Sequence, residues 1–205
     1  MANRYAWEPI GDVSMDRETL IAVCGPQRAA HMMRLRGVRQ DASLNAQRLC
    51  RRLWAELADR SEADFRIDTD NNGRPFSPEA PGFLSLSHSG GYVAAAASFV
   101  PVGIDLQALR KVSGRVLARC CTYEERSWIA EAPGAERTVR AVRLWTMKEA
   151  YGKMLGKGIF TECRFNASFE NGQLLTDCEN ARFLFPAAPE GFLFTVCFPP
   201  EGDEG

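Results

Sequence analysis

The amino-acid sequence predicts an α+β protein built in two halves. Three observations carry that prediction. Apolar residues recur at helical spacing before position 60, a strand–turn–strand pattern fills 83–99, and a second set of helices and alternating strands follows Pro101. No sequence repeat links the halves.

Between Gln27 and Ala58, Leu49, Leu53, Trp54 and Leu57 recur beside Arg34, Arg36, Arg39, Arg48, Arg51 and Arg52, which predicts one or two amphipathic helices. Taken alone, those arginines read as a solvated helix face. Phe65 and Ile67 alternate with Arg66 and Asp68, predicting a short strand before the turn Asp70-Asn71-Asn72-Gly73. Pro75, Pro78 and Pro81 make an irregular connection. Phe83–Ser87 and Tyr92–Phe99 read as strands around His88-Ser89-Gly90-Gly91, and Val102–Leu106 begins another after Pro101. The boundary between halves falls there, giving lobes over 1–101 and 102–199 and an acidic tail over 200–205.

In the second half a helix is expected over Glu124–Ile129. A longer one runs from about Ala135 to Leu155, with Val139, Val142, Met147, Ala150, Tyr151 and Met154 as its apolar stripe. Gly156 ends it, since glycine accepts the left-handed conformation favoured just past a helix. Arg164–Phe169 and Phe192–Phe198 alternate like strands.

With 205 residues, 45% of them hydrophobic, the chain is long enough to bury a core without covalent staples. A net charge of −1 argues against a general nucleic-acid binder, so any anion site is local. Seven cysteines without metal-knuckle spacing, no apolar leader and no run of roughly 20 apolar residues point to a reduced, cytoplasmic, non-membrane protein.

The chemistry concentrates in two segments. In Gly103-Ile104-Asp105-Leu106-Gln107 the two-residue period sends Asp105 and Gln107 to one face. An isolated aspartate there reads first as a turn-bonding residue, a hard cation being the sharper alternative. Trp145, Glu149 and Lys153 follow at four-residue intervals, along one stripe of the long helix. An exposed Glu149–Lys153 pair would be worth only about 0.3–0.5 kcal/mol, and an aromatic seldom shares a purely solvated face. If Asp105 and Glu149 meet, they make a magnesium site open to phosphate oxygens, with Lys153 one turn away. Gly73-Arg74-Pro75 and Leu86-Ser87-His88-Ser89-Gly90 add weaker anion-binding elements.

In order and spacing, Gly73-Arg74-Pro75, Phe83–Gly90, Val102–Asp105 and Trp145–Lys153 with Gly156-Lys157-Gly158 resemble the Sfp-type 4'-phosphopantetheinyl transferases. The resemblance implies two similar α+β lobes related by a pseudo-twofold axis, with coenzyme A in the cleft between them. It implies transfer of phosphopantetheine from coenzyme A to a serine of an apo acyl or peptidyl carrier protein by a monomeric enzyme. Asp105 and Glu149 would bind Mg²⁺, with Mn²⁺ as an alternative ion. Arg74, Ser87 and His88 would contact the adenosine 3'-phosphate end of coenzyme A, and Lys148 and Lys153 its pyrophosphate or pantetheine. Glu125 matches the family's glutamate on the preceding helix, and Glu149 would help deprotonate the carrier serine.

Two departures stand out. Many relatives have Glu where this chain has Gln107, so an amide oxygen or a water must complete the metal shell, and weaker Mg²⁺ binding is expected. An arginine often found shortly after the pair matching Asp41-Ala42 is replaced by Leu44, so that phosphate contact passes to Arg34, Arg36, Arg39 or Arg48. Arg110, Lys111, Arg115 and Arg119 are candidate contacts for an acidic carrier surface. The rival readings are a non-catalytic coenzyme A or carrier-binding module and, less favoured, a hydrolase using Ser87 and His88; neighbours on one strand point to opposite faces, which argues against that pair.

Overall fold

The structure, a computed structural model, describes residues 3–12, 15–35, 37–70, 72–79, 81–157 and 165–201. The chain divides into two compact units, Met1–Val102 and Gly103–Gly205. Each pairs a small antiparallel sheet with a long helix, which makes the α+β class plain.

In the first unit, strands β1 (Asn3–Pro9), β4 (Phe83–Ser89) and β5 (Tyr92–Ser98) form a sheet in the order β1-β5-β4, and helix α2 (Val38–Ala58) lies across it. Val93, Ala95 and Ala97 of the central strand join Leu49, Leu53 and Trp54 in one core. Small side chains there let the helix approach closely. The β4–β5 turn is tighter than the sequence suggests, since His88 and Ser89 still pair with Val93 and Tyr92, leaving Gly90 and Gly91 to reverse the chain. Helix α1 (Arg17–Arg34) begins at Asp16, whose side chain accepts from Thr19 N, and kinks where Gly25 adopts φ 74° before Pro26.

The strand expected at Phe65–Asp68 is displaced. Arg51 Nε donates to the Phe65 carbonyl, Gln47 Nε2 donates to that of Ile67, and Ile67 N bonds to Val23 O, so side chains and α1 satisfy this backbone instead of a sheet. Pairing begins only with β2 (Asp68–Thr69), against β3 (Pro75–Phe76).

The second unit opens with β6 (Gly103–Ala108). Helices α3 (Gly114–Cys120), α4 (Tyr123–Glu131) and α5 (Glu136–Met154) follow, then the hairpin β7 (Ala167–Glu170) and β8 (Gln173–Thr176), β9 (Arg182–Leu184) and β10 (Phe192–Phe198). The main sheet runs β6-β10-β9, all antiparallel, and α5 packs on β6 and β10. Gly103 permits that packing: a Cβ there would lie 1.9 Å from the Ala150 carbonyl oxygen and 2.4 Å from Met154 N. Helix α5 ends in a Schellman turn, in which Gly156 (φ 69°) donates to Lys153 O and Lys157 donates to Gly152 O. Gly158 and Arg164, on which parts of the sequence reading fall, lie outside the described residues, as does Arg36.

Candidate functional site

The second unit gathers the two chemistry-bearing segments. Asp105 sits mid-strand in β6 opposite Thr195, whose hydroxyl meets that of Thr146 on α5 at 2.8 Å, so this face of the sheet is turned toward the helix. Lys153, the last residue but one of α5, places its ammonium 2.9 Å from Asp105 Oδ1 and 2.9 Å from the Ile104 carbonyl oxygen. Asp105 is only 2% exposed.

Glu149 lies one turn earlier on the same stripe. Burial pushes its carboxyl above the usual range, the Lys153 ammonium opposes that rise, and the Asp105 carboxylate adds to it. An acid whose ionisation is opposed by burial and by the Asp105 carboxylate, with the Lys153 ammonium favouring it, makes a site suited to further positive charge. Gln107, two residues beyond Asp105, lines a pocket of about 220 Å³ with Trp145, Val112, Val116 and Val142, and Arg110 and Lys111 stand among its lining residues.

As donors for a metal, the neighbouring carboxylates of Asp105 and Glu149 are both hard oxygen ligands. Among the described residues no group of three or more His, Cys, Asp or Glu is assembled. Magnesium suits such a sparse set because it commonly uses one or two carboxylates and completes its shell with water and substrate phosphate. The residues present therefore fit that ion.

Lys148 corrects the sequence reading. Expected at the phosphates, it is instead wholly buried, its ammonium 3.0 Å from Glu125 Oε1, donating to the Phe165 carbonyl and stacked 3.8 Å from the Phe165 ring centroid. Glu125 is committed as well: it closes a capping box with Thr122 and accepts from Ala167 N. With its charge balanced inside the core, Lys148 serves packing and α5 placement. Its burial could have been suspected from sequence, since it falls between Met147 and Ala150 on the apolar side of the helix.

In the first unit, Ser87 is buried on β4 and the next residue, His88, is exposed. The alternation that separates them removes the hydrolase reading. Arg74 lies 5.3 Å above the Phe83 ring, and among the described residues its buried Nη2 has no hydrogen-bond partner. Arg34, Arg39 and Arg48 are exposed. Arg51 is spent on the Phe65 and Glu62 carbonyls, and Arg52 on Glu8.

Comparison with known proteins adds a family to this geometry. Residues 101–197, the span holding every second-unit site residue above, match the family model described as the 4'-phosphopantetheinyl transferase superfamily, which bears out over that span the resemblance read from the sequence. Among curated relatives, the chain is 34% identical over 94 residues to the 4'-phosphopantetheinyl transferase psf-1 of Bacillus pumilus, covering 45% of this chain and 40% of that protein. It is 32% identical over 99 residues to the 4'-phosphopantetheinyl transferase Sfp of Bacillus subtilis (strain 168), covering 48% and 44%. Gsp of Aneurinibacillus migulanus, another 4'-phosphopantetheinyl transferase, is 26% identical over 118 residues, 58% of this chain and 49% of its own. The chain thus spans less than half the length of these three relatives.

Proposed function

We propose that this chain is a magnesium-dependent 4'-phosphopantetheinyl transferase that moves the phosphopantetheine arm of coenzyme A onto a serine of an apo acyl or peptidyl carrier protein. The observation that carries the proposal is the convergence of Asp105, Glu149 and Lys153 inside the segment that matches the superfamily.

In this reading Asp105 and Glu149 hold the metal, with Gln107 contributing directly or through a water; Mn²⁺ satisfies the same donors. The ion, when bound, neutralises charge on the pyrophosphate. Glu149, its proton affinity raised by burial, accepts the serine proton. The serine oxygen bonds to the β-phosphorus of coenzyme A, the bond from that phosphorus to the oxygen bridging the two phosphates breaks, and adenosine 3',5'-bisphosphate leaves. Lys153 offsets charge on the phosphoryl oxygens. Arg74, Ser87 and His88 contact the 3'-phosphate end, and the buried, unbonded Nη2 of Arg74 supports that role. Arg39 is the candidate among the exposed arginines.

Arg110, Lys111, Arg115 and Arg119 are all exposed and suit an acidic carrier surface. Among the described residues no helix is long and apolar enough to cross a membrane. The described cysteines are thiols, as a reducing cytoplasm would keep them. We read the enzyme as a cytoplasmic monomer of two similar lobes.

The test is intact mass of an apo carrier after incubation with the chain, coenzyme A and Mg²⁺. Gain of a phosphopantetheine mass, abolished in Asp105→Ala, is the expected result; no gain across carriers of fatty-acid, polyketide and peptide type overturns it. Gln107 motivates the second reading, a module that binds coenzyme A without turnover. Binding of coenzyme A with no mass gain on any carrier would favour that module.

A further inference from the structure

The thiols of Cys120 and Cys121 lie 3.6 Å apart at the end of α3, inside the core of the second unit, and no part of the proposed transfer reaction uses them. Cys120 closes the helix and Cys121 caps it in an extended conformation (φ −107°, ψ 144°). The two side chains turn toward each other.

At 3.6 Å the two thiols share an S–H···S hydrogen bond, and two chemistries could replace its proton with a covalent link; magnitudes choose between them. Consecutive Cα atoms are about 3.8 Å apart, well inside the roughly 4.4–6.8 Å that disulfides prefer, so direct sulfur–sulfur bonding between adjacent cysteines is strained. Two thiolates held at about 2.3 Å, an ordinary thiolate bond length, by one pyramidal trivalent centre with an angle of about 100° stand about 3.5 Å apart, close to the spacing found here. The pair is therefore set for a bridging atom. Among the described residues no third His, Cys, Asp or Glu completes a metal cluster, so the bridging atom must bring its own remaining ligand.

We propose that Cys120 and Cys121 form a vicinal-dithiol site for a monosubstituted trivalent arsenical, a thiophilic centre carrying one organic group. Two arsenic–sulfur bonds form, the arsenic–oxygen bond of the free reagent breaks, and the two thiol protons leave with that oxygen as water; nothing is oxidised or reduced. The surroundings favour the first step. The Cys121 thiol and the nearby Lys148 ammonium hold Cys120 below the usual thiol range, against burial and the Glu125 carboxylate, while the hydrogen bond to Cys120 and burial push Cys121 up, so Cys120 attacks first and Cys121 closes the ring. Reaction at the pair requires local opening of α3, a seven-residue helix with Arg115, Ala118 and Arg119 exposed, a fluctuation that costs less than global unfolding. At 6% and 8% exposure the pair sits just beneath it.

The experiment treats the native full-length chain with one equivalent of phenylarsine oxide, then with excess monothiol, and reads intact mass and peptide maps. One phenylarsenic per chain, retained against monothiol, released by 2,3-dimercaptopropanol and mapping to the peptide holding Cys120 and Cys121, is the expected result. Cys120→Ala and Cys121→Ala should each lose the retained adduct while circular dichroism stays native. An adduct stripped by monothiol, one that maps to other cysteines, or one formed only in urea overturns the proposal. The mapping on the unaltered chain decides the question even where a variant misfolds.

Discussion

The Lys153 ammonium lies 2.9 Å from Asp105 Oδ1, so the lysine nearest the end of α5 is fastened to the acid at the middle of β6. In the proposed enzyme this lysine competes with Mg²⁺ for Asp105 while also serving the phosphates. Lys153→Met should therefore lower kcat by about 10²-fold, the scale of losing one charge-stabilising donor, yet lower the Mg²⁺ concentration needed for half-maximal rate. Magnesium titrations of initial rate check both; a higher Mg²⁺ requirement would refute the competition.

Gln107→Glu adds a carboxylate to the donor set two residues beyond Asp105. Ligand charge count tunes the affinity of oxygen sites for hard cations, so the half-saturating Mg²⁺ should fall, by about tenfold. Unchanged Mg²⁺ dependence would place residue 107 outside the metal shell.

Lys148→Met leaves Glu125 as a buried acid without its ammonium partner. Breaking such a pair costs about 3–5 kcal/mol because the remaining charge is left buried and uncompensated, whereas neutralising both partners costs much less. Urea denaturation should show Lys148→Met far less stable than Lys148→Met with Glu125→Gln, which removes the charge yet keeps an amide oxygen for Ala167 N. A loss of activity without loss of stability would return Lys148 to the phosphates.

Cys50 is fully buried on α2, and burial pushes its thiol up to about 12 from 9.0. As pH rises past 9 the unfolded thiol releases its proton while the folded one keeps it, so stability falls through that window until the folded thiol itself ionises. The slope from one such group is about 1.4 kcal/mol per pH unit. Cys50→Ala should flatten the stability–pH profile between pH 9.5 and 11 by about that amount, whatever its cavity does to the absolute value.

Gly103→Ala would drive a methyl group into the backbone of α5. Overpacking of this kind costs about 1–3 kcal/mol, and more where the neighbour is backbone. Since the same contact brings Lys153 to Asp105, the thermal midpoint and the transfer rate should fall together; a stable variant with full activity would show that α5 can shift freely.

Much of the second unit was legible because its signals are local. The four-residue intervals of Trp145, Glu149 and Lys153 fixed one stripe, Gly156 fixed the helix end, and the apolar run Phe192–Phe198 is strand β10, buried on both faces from Phe194 onward rather than alternating. Strand β1 was missed because Asn3–Pro9 is a polar edge strand, defined by its pairing with β5 rather than by a pattern of its own. The start of α1 was missed because the helix is broken at Gly25, ahead of Pro26. Phe65–Ile67 alternated as a strand would, yet partners from α1 and α2, distant in sequence, claimed its backbone. Lys148 misled for a different reason: a lysine beside a candidate catalytic glutamate reads as chemistry, and only the position of Glu125 reveals that its charge is answered internally.

That answered charge also acts as a rotational lock. Successive residues on an α-helix are separated by about 100° around its axis, so clamping the Lys148 side chain to Glu125 fixes the angular phase of its neighbour. Glu149 cannot swing away from β6 unless an ammonium is dragged out of the protein interior. The aim of one carboxylate is thus guarded by the reluctance of the adjacent cation to move.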